Sequence, residues 1–98
     1  MKREDVISKL KTVEPAIREH GVSSLYIYGS HARDEAGPDS DVDVFVEFDE
    51  ATPLNFADYM DVYHIVQEAV GVEVDYGTRA GIVEFYRPTI ETEAIRVF

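Results

Sequence analysis

Eight consecutive residues constrain this chain more than any others: Asp41-Val42-Asp43-Val44-Phe45-Val46-Glu47-Phe48. Their polarity alternates with a period of two, which an extended strand converts into two distinct faces. Val42, Val44, Val46 and Phe48 fall on one face, and Asp41, Asp43, Phe45 and Glu47 on the other. Such a strand needs a cover over its valines and holds its acids out on the far side. A small sheet with helices packed on one face is therefore expected, with the other face free for chemistry.

The rest of the chain supplies the parts. Val6, Leu10, Val13 and Ile17 recur at helical spacing through residues 2–20. Pro15 interrupts that run, which predicts either a kink or two consecutive helices, and Gly21 suits the stop. Leu25-Tyr26-Ile27-Tyr28 reads as a strand that ends abruptly at Gly29-Ser30. Over residues 54–70 a helical stripe is formed by Phe56, Tyr59, Met60, Tyr63, Val66 and Val70, with Val62 and Ile65 at its edge and Gly71 after it. The stripe reads as core, and it is wide enough that part of it is free to face a partner. Val72, Val74 and Tyr76 alternate with Glu73 and Asp75 in a third strand closed by Gly77-Thr78. Residues 88–97, opened by Pro88, read as a final helix. The expected order is α-β-(loop or α)-β-α-β-α, an α/β (α+β) fold built as one domain over residues 1–98.

Composition removes several classes of function. The absence of cysteine excludes disulfides and thiolate metal sites, and suits a cytoplasmic setting. No apolar run approaches the roughly 20 residues of a membrane span, and Met1-Lys2-Arg3-Glu4-Asp5 lacks the apolar core of a signal peptide. Nine Lys and Arg against twenty Asp and Glu give a net charge of −11. That charge repels a bare nucleic-acid backbone and favours a basic partner or bound metal ions.

Chemistry concentrates in residues 29–43. A strand that breaks at Gly29-Ser30 into a turn offers backbone N–H groups, a hydroxyl and no obstructing side chain, which is a cradle for phosphate. Asp41 and Asp43, two residues apart on one strand face, place their carboxylates roughly 6.5–7 Å apart. Carboxylates so placed can hold Mg²⁺, which takes oxygen ligands and leaves positions open for substrate phosphates. If the third strand pairs with theirs, Asp75 completes a three-acid cluster able to hold two metal ions. Glu73 shares the face predicted for Asp75, so the two compete for that role.

Gly29-Ser30, ten intervening residues and Asp41-x-Asp43 resemble the signature of the DNA-polymerase-β-like nucleotidyltransferase superfamily. The wider stretch from Tyr28-Gly29-Ser30 through Ala32-Arg33 to Ser40-Asp41-Val42-Asp43-Val44-Phe45-Val46-Glu47-Phe48 is similar to its minimal nucleotidyltransferase (MNT) branch. So are Val74-Asp75 and Ile90-Glu91-x-Glu93-Ala94. The resemblance implies the minimal polymerase-β-like fold, a small mixed sheet, and a division of labour. Gly29 and Ser30 would bind the triphosphate of ATP, Asp41 and Asp43 would hold two Mg²⁺ ions, and Asp75 would bind metal and help deprotonate the attacking hydroxyl. It also implies an antitoxin role beside a HEPN-domain toxin, in a hetero-oligomer, with AMP transferred to a toxin hydroxyl, the tyrosine of a HEPN ribonuclease. The sequence departs from the branch at Asp34, where glycine is frequent, and at Tyr28, where phenylalanine is common.

Other assignments stay open at the level of sequence. Ser30 serves either as a helix cap or as a phosphate ligand. Arg33 serves either a phosphate or a neighbouring acid. His31 reads as a loop residue, and His20 and His64 as helix-surface or boundary residues. With every predicted element used in one sheet and its cover, an acceptor on a partner macromolecule is expected. The principal alternative is a non-catalytic antitoxin that masks a basic toxin by charge. A further one is the catalytic subunit of a small-molecule nucleotidyltransferase.

Overall fold

The computed structural model describes residues 1–51 and 55–98. Two helices open the chain, α1 (Arg3–Thr12) and α2 (Glu14–Glu19), and Pro15 sits in the first turn of α2, where its missing N–H costs little. Then follow β1 (Val22–Tyr28), the short α3 (Gly29–Ala32), β2 (Val42–Phe48), α4 (Phe56–Val70), β3 (Val74–Thr78), a 3₁₀ turn at Arg79–Gly81, α5 (Arg87–Glu93) and β4 (Ile95–Arg96). The sheet order is β3-β2-β1-β4, with β2 and β3 parallel and the other pairs antiparallel. This is the small mixed sheet that the resemblance implied.

The valine face of β2 is the centre of the core. Val42, Val44 and Val46 are fully buried with Leu25 and Ile27 of β1, Val6 and Leu10 of α1, Ile17 of α2, and Val62 and Val66 of α4. The α4 stripe is rotated from the expected one. Val62, Val66 and Val70 are its buried line and Phe56 is 77% exposed. Tyr59 and Tyr63 sit beside that line, packed against Tyr76. The small valines pack into the core beneath the sheet, and the longer rings pack beside them against Tyr76. The predicted start of this helix at residue 54 lies outside the described residues.

Two expectations are corrected. Residues 88–97 are not one helix: α5 stops at Glu93, and Ile95 and Arg96 pair with Ile27 and Tyr26. Without them β1 would present a bare edge, and its backbone groups, including Leu25 N–H to the Phe98 carbonyl at 3.0 Å, would lack partners. Nor is the second sheet face open. Phe45 is 1% exposed, stacked on Tyr26 at 4.8 Å and beneath the Arg79 guanidinium at 5.4 Å. The aromatic ring on that face is itself covered, and the exposed Asp41 and half-buried Asp43 lie at an uncovered end of it.

Candidate active site

The end of β1 and the start of β2 meet at that uncovered end. Gly29 leaves β1 with φ of +71°, a left-handed value that residues with side chains avoid. A Cβ on Gly29 would also collide with the Asp43 carboxylate. Glycine is thus what allows the turn to close directly onto the acid.

Strand register then assembles a row. Antiparallel pairing sets Tyr28 opposite Asp43, and parallel pairing sets Asp43 opposite Asp75. Burial pushes the Asp43 carboxyl up to about 6, assisted by the charges of Asp75 and Asp41, a hydrogen bond with Asp75, and the charge of Glu93. Tyr28 is pushed up to about 12, mainly by burial and then by Asp75, Asp43 and Glu93. Crowded negative charge is the defining property of this corner. Asp41 is exposed, one residue ahead of β2, and its charge reaches Asp43 from there. Glu73 is separated from the group: its carboxylate accepts a hydrogen bond from Tyr63 at 3.2 Å, whereas Asp75 lies opposite Asp43. That distinguishes it from Asp75.

The turn beside the acids is already engaged. Gly29 N–H donates to Glu93 Oε1 at 3.1 Å, and Arg33 donates to Glu93 Oε2 at 2.8 Å and to Glu35 at 3.2 Å. Arg33 therefore pairs with acids, and those bonds hold its guanidinium even more firmly charged. Ser30 does not cap α3, whose N-cap position is Tyr28. His31 is not a loop residue: it lies within α3, 1% exposed, with Nδ1 unpartnered, and burial lowers its pKa. Neither His31 nor Glu93 was assigned a place here by sequence. Glu93 lies 64 residues from Gly29, and no local pattern reports such a contact.

A groove of about 360 Å³ opens next to Asp75, lined by Tyr28, Phe45, Gly77, Tyr86 and Ile90 among others. A larger one of about 610 Å³ runs past Glu47, Arg79 and Arg87 but touches neither Asp43 nor Asp75. Chemistry therefore favours the smaller groove. Among the described residues, the His, Asp and Glu ligand atoms gathered within 4.8 Å of one another belong to His20, Asp58 and Asp61, on the helical side of the sheet. Asp41, Asp43 and Asp75 are not drawn together to that degree, and Asp43 and Asp75 are the pair in contact.

The donor set fits a hard divalent cation. It is all oxygen, and it sets the like charges of Asp75 and Asp41 close to the partly buried Asp43 carboxyl. A chain of this kind, with a glycine turn against paired strand acids, can bind an anion and a cation side by side.

Residues 10–97 match the protein-family model described as Nucleotidyltransferase domain. A Methanocaldococcus jannaschii protein provisionally named a protein adenylyltransferase is 34% identical over 80 residues, 81% of this chain and 80% of that one. A solved structure, provisionally described as a minimal nucleotidyltransferase, has a TM-score of 0.79 at 29% identity, covering 97% of this chain and 95% of its own. The same fold, at 14% identity and a TM-score of 0.64, occurs in the complex of a tri-AMPylated Shewanella oneidensis HEPN toxin with an MNT antitoxin, with 98% and 71% covered.

Proposed function

The chain belongs to the nucleotidyltransferase domain family, and from that membership we propose that it is the antitoxin that transfers AMP from ATP to a hydroxyl, a tyrosine, of a HEPN toxin. The observation that carries the reading is the pairing of Asp43 with Asp75 on adjacent parallel strands, directly beneath the Gly29 turn. The name of the M. jannaschii relative and the AMPylated toxin of the S. oneidensis complex support the group transferred and the acceptor class. The exposed Val83, Phe85 and Tyr86 beside the Asp75 groove, and a net charge of −11, suit docking of a basic protein partner in a hetero-oligomer. No helix among the described residues is long and apolar enough to cross a membrane.

In this reading the Gly29 amide, the Ser30 hydroxyl and the Arg33 guanidinium hold the triphosphate and orient the α-phosphorus toward the groove. Asp41, Asp43 and Asp75 would hold Mg²⁺, two ions in all, whose chemistry when bound is to offset phosphate charge. The tyrosine enters along the groove, and its oxygen bonds to the α-phosphorus as the bond to the β-phosphate oxygen breaks. Pyrophosphate leaves, and an Asp75 carboxylate oxygen accepts the hydroxyl proton.

Incubation with α-labelled ATP, Mg²⁺ and the purified HEPN partner is expected to label the partner, and Asp75→Asn to abolish labelling. If no label transfers, and the Asp41→Asn, Asp43→Asn double variant still neutralises the toxin, the protein acts by binding alone and the enzymatic reading is wrong.

A further inference from the structure

Glu93 closes α5, yet both of its carboxylate oxygens are engaged by the turn that follows β1. Oε1 accepts from the Gly29 amide at 3.1 Å and Oε2 from the Arg33 guanidinium at 2.8 Å. The Glu93 side chain is 20% exposed and that of Arg33 44%, so the carboxylate is the sheltered partner of the pair. Those two donors are groups that the proposed function gives to the triphosphate. A carboxylate spanning an amide and a guanidinium makes the same pair of charge-assisted bonds as two phosphate oxygens. It does so at a corner already rich in negative charge, where it also helps to raise Asp43 and Tyr28.

We propose that Glu93 is the internal counter-anion of the phosphate cradle. It holds Gly29 and Arg33 in the nucleotide-free protein and is displaced by the triphosphate, so it sets the affinity for nucleotide. The inference rests on the nucleotide reading above. One set of donors cannot serve two anions, so the measured affinity is the intrinsic affinity reduced by the fraction of molecules in which Glu93 has released them. Arg33 is exposed, which keeps that competition modest.

The test is calorimetric titration of wild type, Glu93→Gln and Glu93→Ala with ATP, pyrophosphate and adenosine, with folding checked by circular dichroism. Both variants are expected to bind ATP and pyrophosphate about five- to tenfold more tightly than wild type, roughly 1–1.4 kcal/mol. Adenosine, which has no anion to compete, is expected to bind all three alike. Equal or weaker binding of pyrophosphate by the variants overturns the inference and makes Glu93 a strut that the cradle needs. A gain that appears equally with adenosine overturns it too. If wild type binds ATP normally, such a result leaves the nucleotide reading standing. If no form binds ATP or pyrophosphate, the cradle itself is refuted, and this inference with it.

Discussion

Replacing Asp43 by asparagine is expected to stabilise the protein while removing an acid from its site. The Asp43 carboxyl is raised from 3.8 to about 6. In the folded chain it therefore keeps its proton at pH values where the unfolded chain has lost it. Stability linked to this group is complete below about pH 4, falls as pH rises through 6, and is absent at neutral pH. Ionised Asp43 thus costs the folded state free energy. The shift of about 2 units corresponds to about 3 kcal/mol at most. Asp43 is only partly buried and solvent screens its neighbours, so about half of that, roughly 1.5 kcal/mol, is the expected gain for Asp43→Asn. For a domain of this size that is about 6–10 °C in Tm. The assay is thermal unfolding of both proteins in EDTA between pH 4 and pH 8. The gain should be largest above pH 7 and vanish near pH 4. An equal gain at all pH values, or a loss at pH 7.5, would refute the argument that like charge and burial burden this corner.

Two further substitutions probe the site. Gly29→Ala is expected to destabilise the fold by about 2 kcal/mol or more and to abolish ATP binding, because the new Cβ meets Asp43 at a positive φ; denaturant unfolding and calorimetry measure the two effects. Glu73→Gln should leave AMP transfer within about twofold of wild type, whereas Asp75→Asn lowers it by at least about a hundredfold. Loss of activity in Glu73→Gln would reverse the assignment of these two acids.

The part of the fold that local chemistry controls was legible in the sequence. The alternation of β2, the interruption at Pro15 and the break at Gly29 each depend on neighbouring residues, and each is where the pattern put it. What escaped depends on distant partners. Ile95 and Arg96 extend only because β1 offers an unpaired edge. Phe45 is buried on the acidic face because Tyr26 and Arg79, remote in sequence, cover it. The candidate site divides in the same way. The Asp43–Asp75 contact followed once strand pairing was assumed, while Glu93 reached the Gly29 turn through a helix whose end was misplaced.

The pairing of β4 with β1 also has a consequence in time. β1 belongs to the first third of the chain, yet its second neighbour consists of residues 95 and 96. At about 5–20 residues per second, synthesis leaves β1 waiting several seconds for that neighbour, with one edge bare. Glu93 and Gly29 meet over the same long interval. Until residues 93–96 have been made, a nascent chain lacks both β4 and the carboxylate that closes the turn.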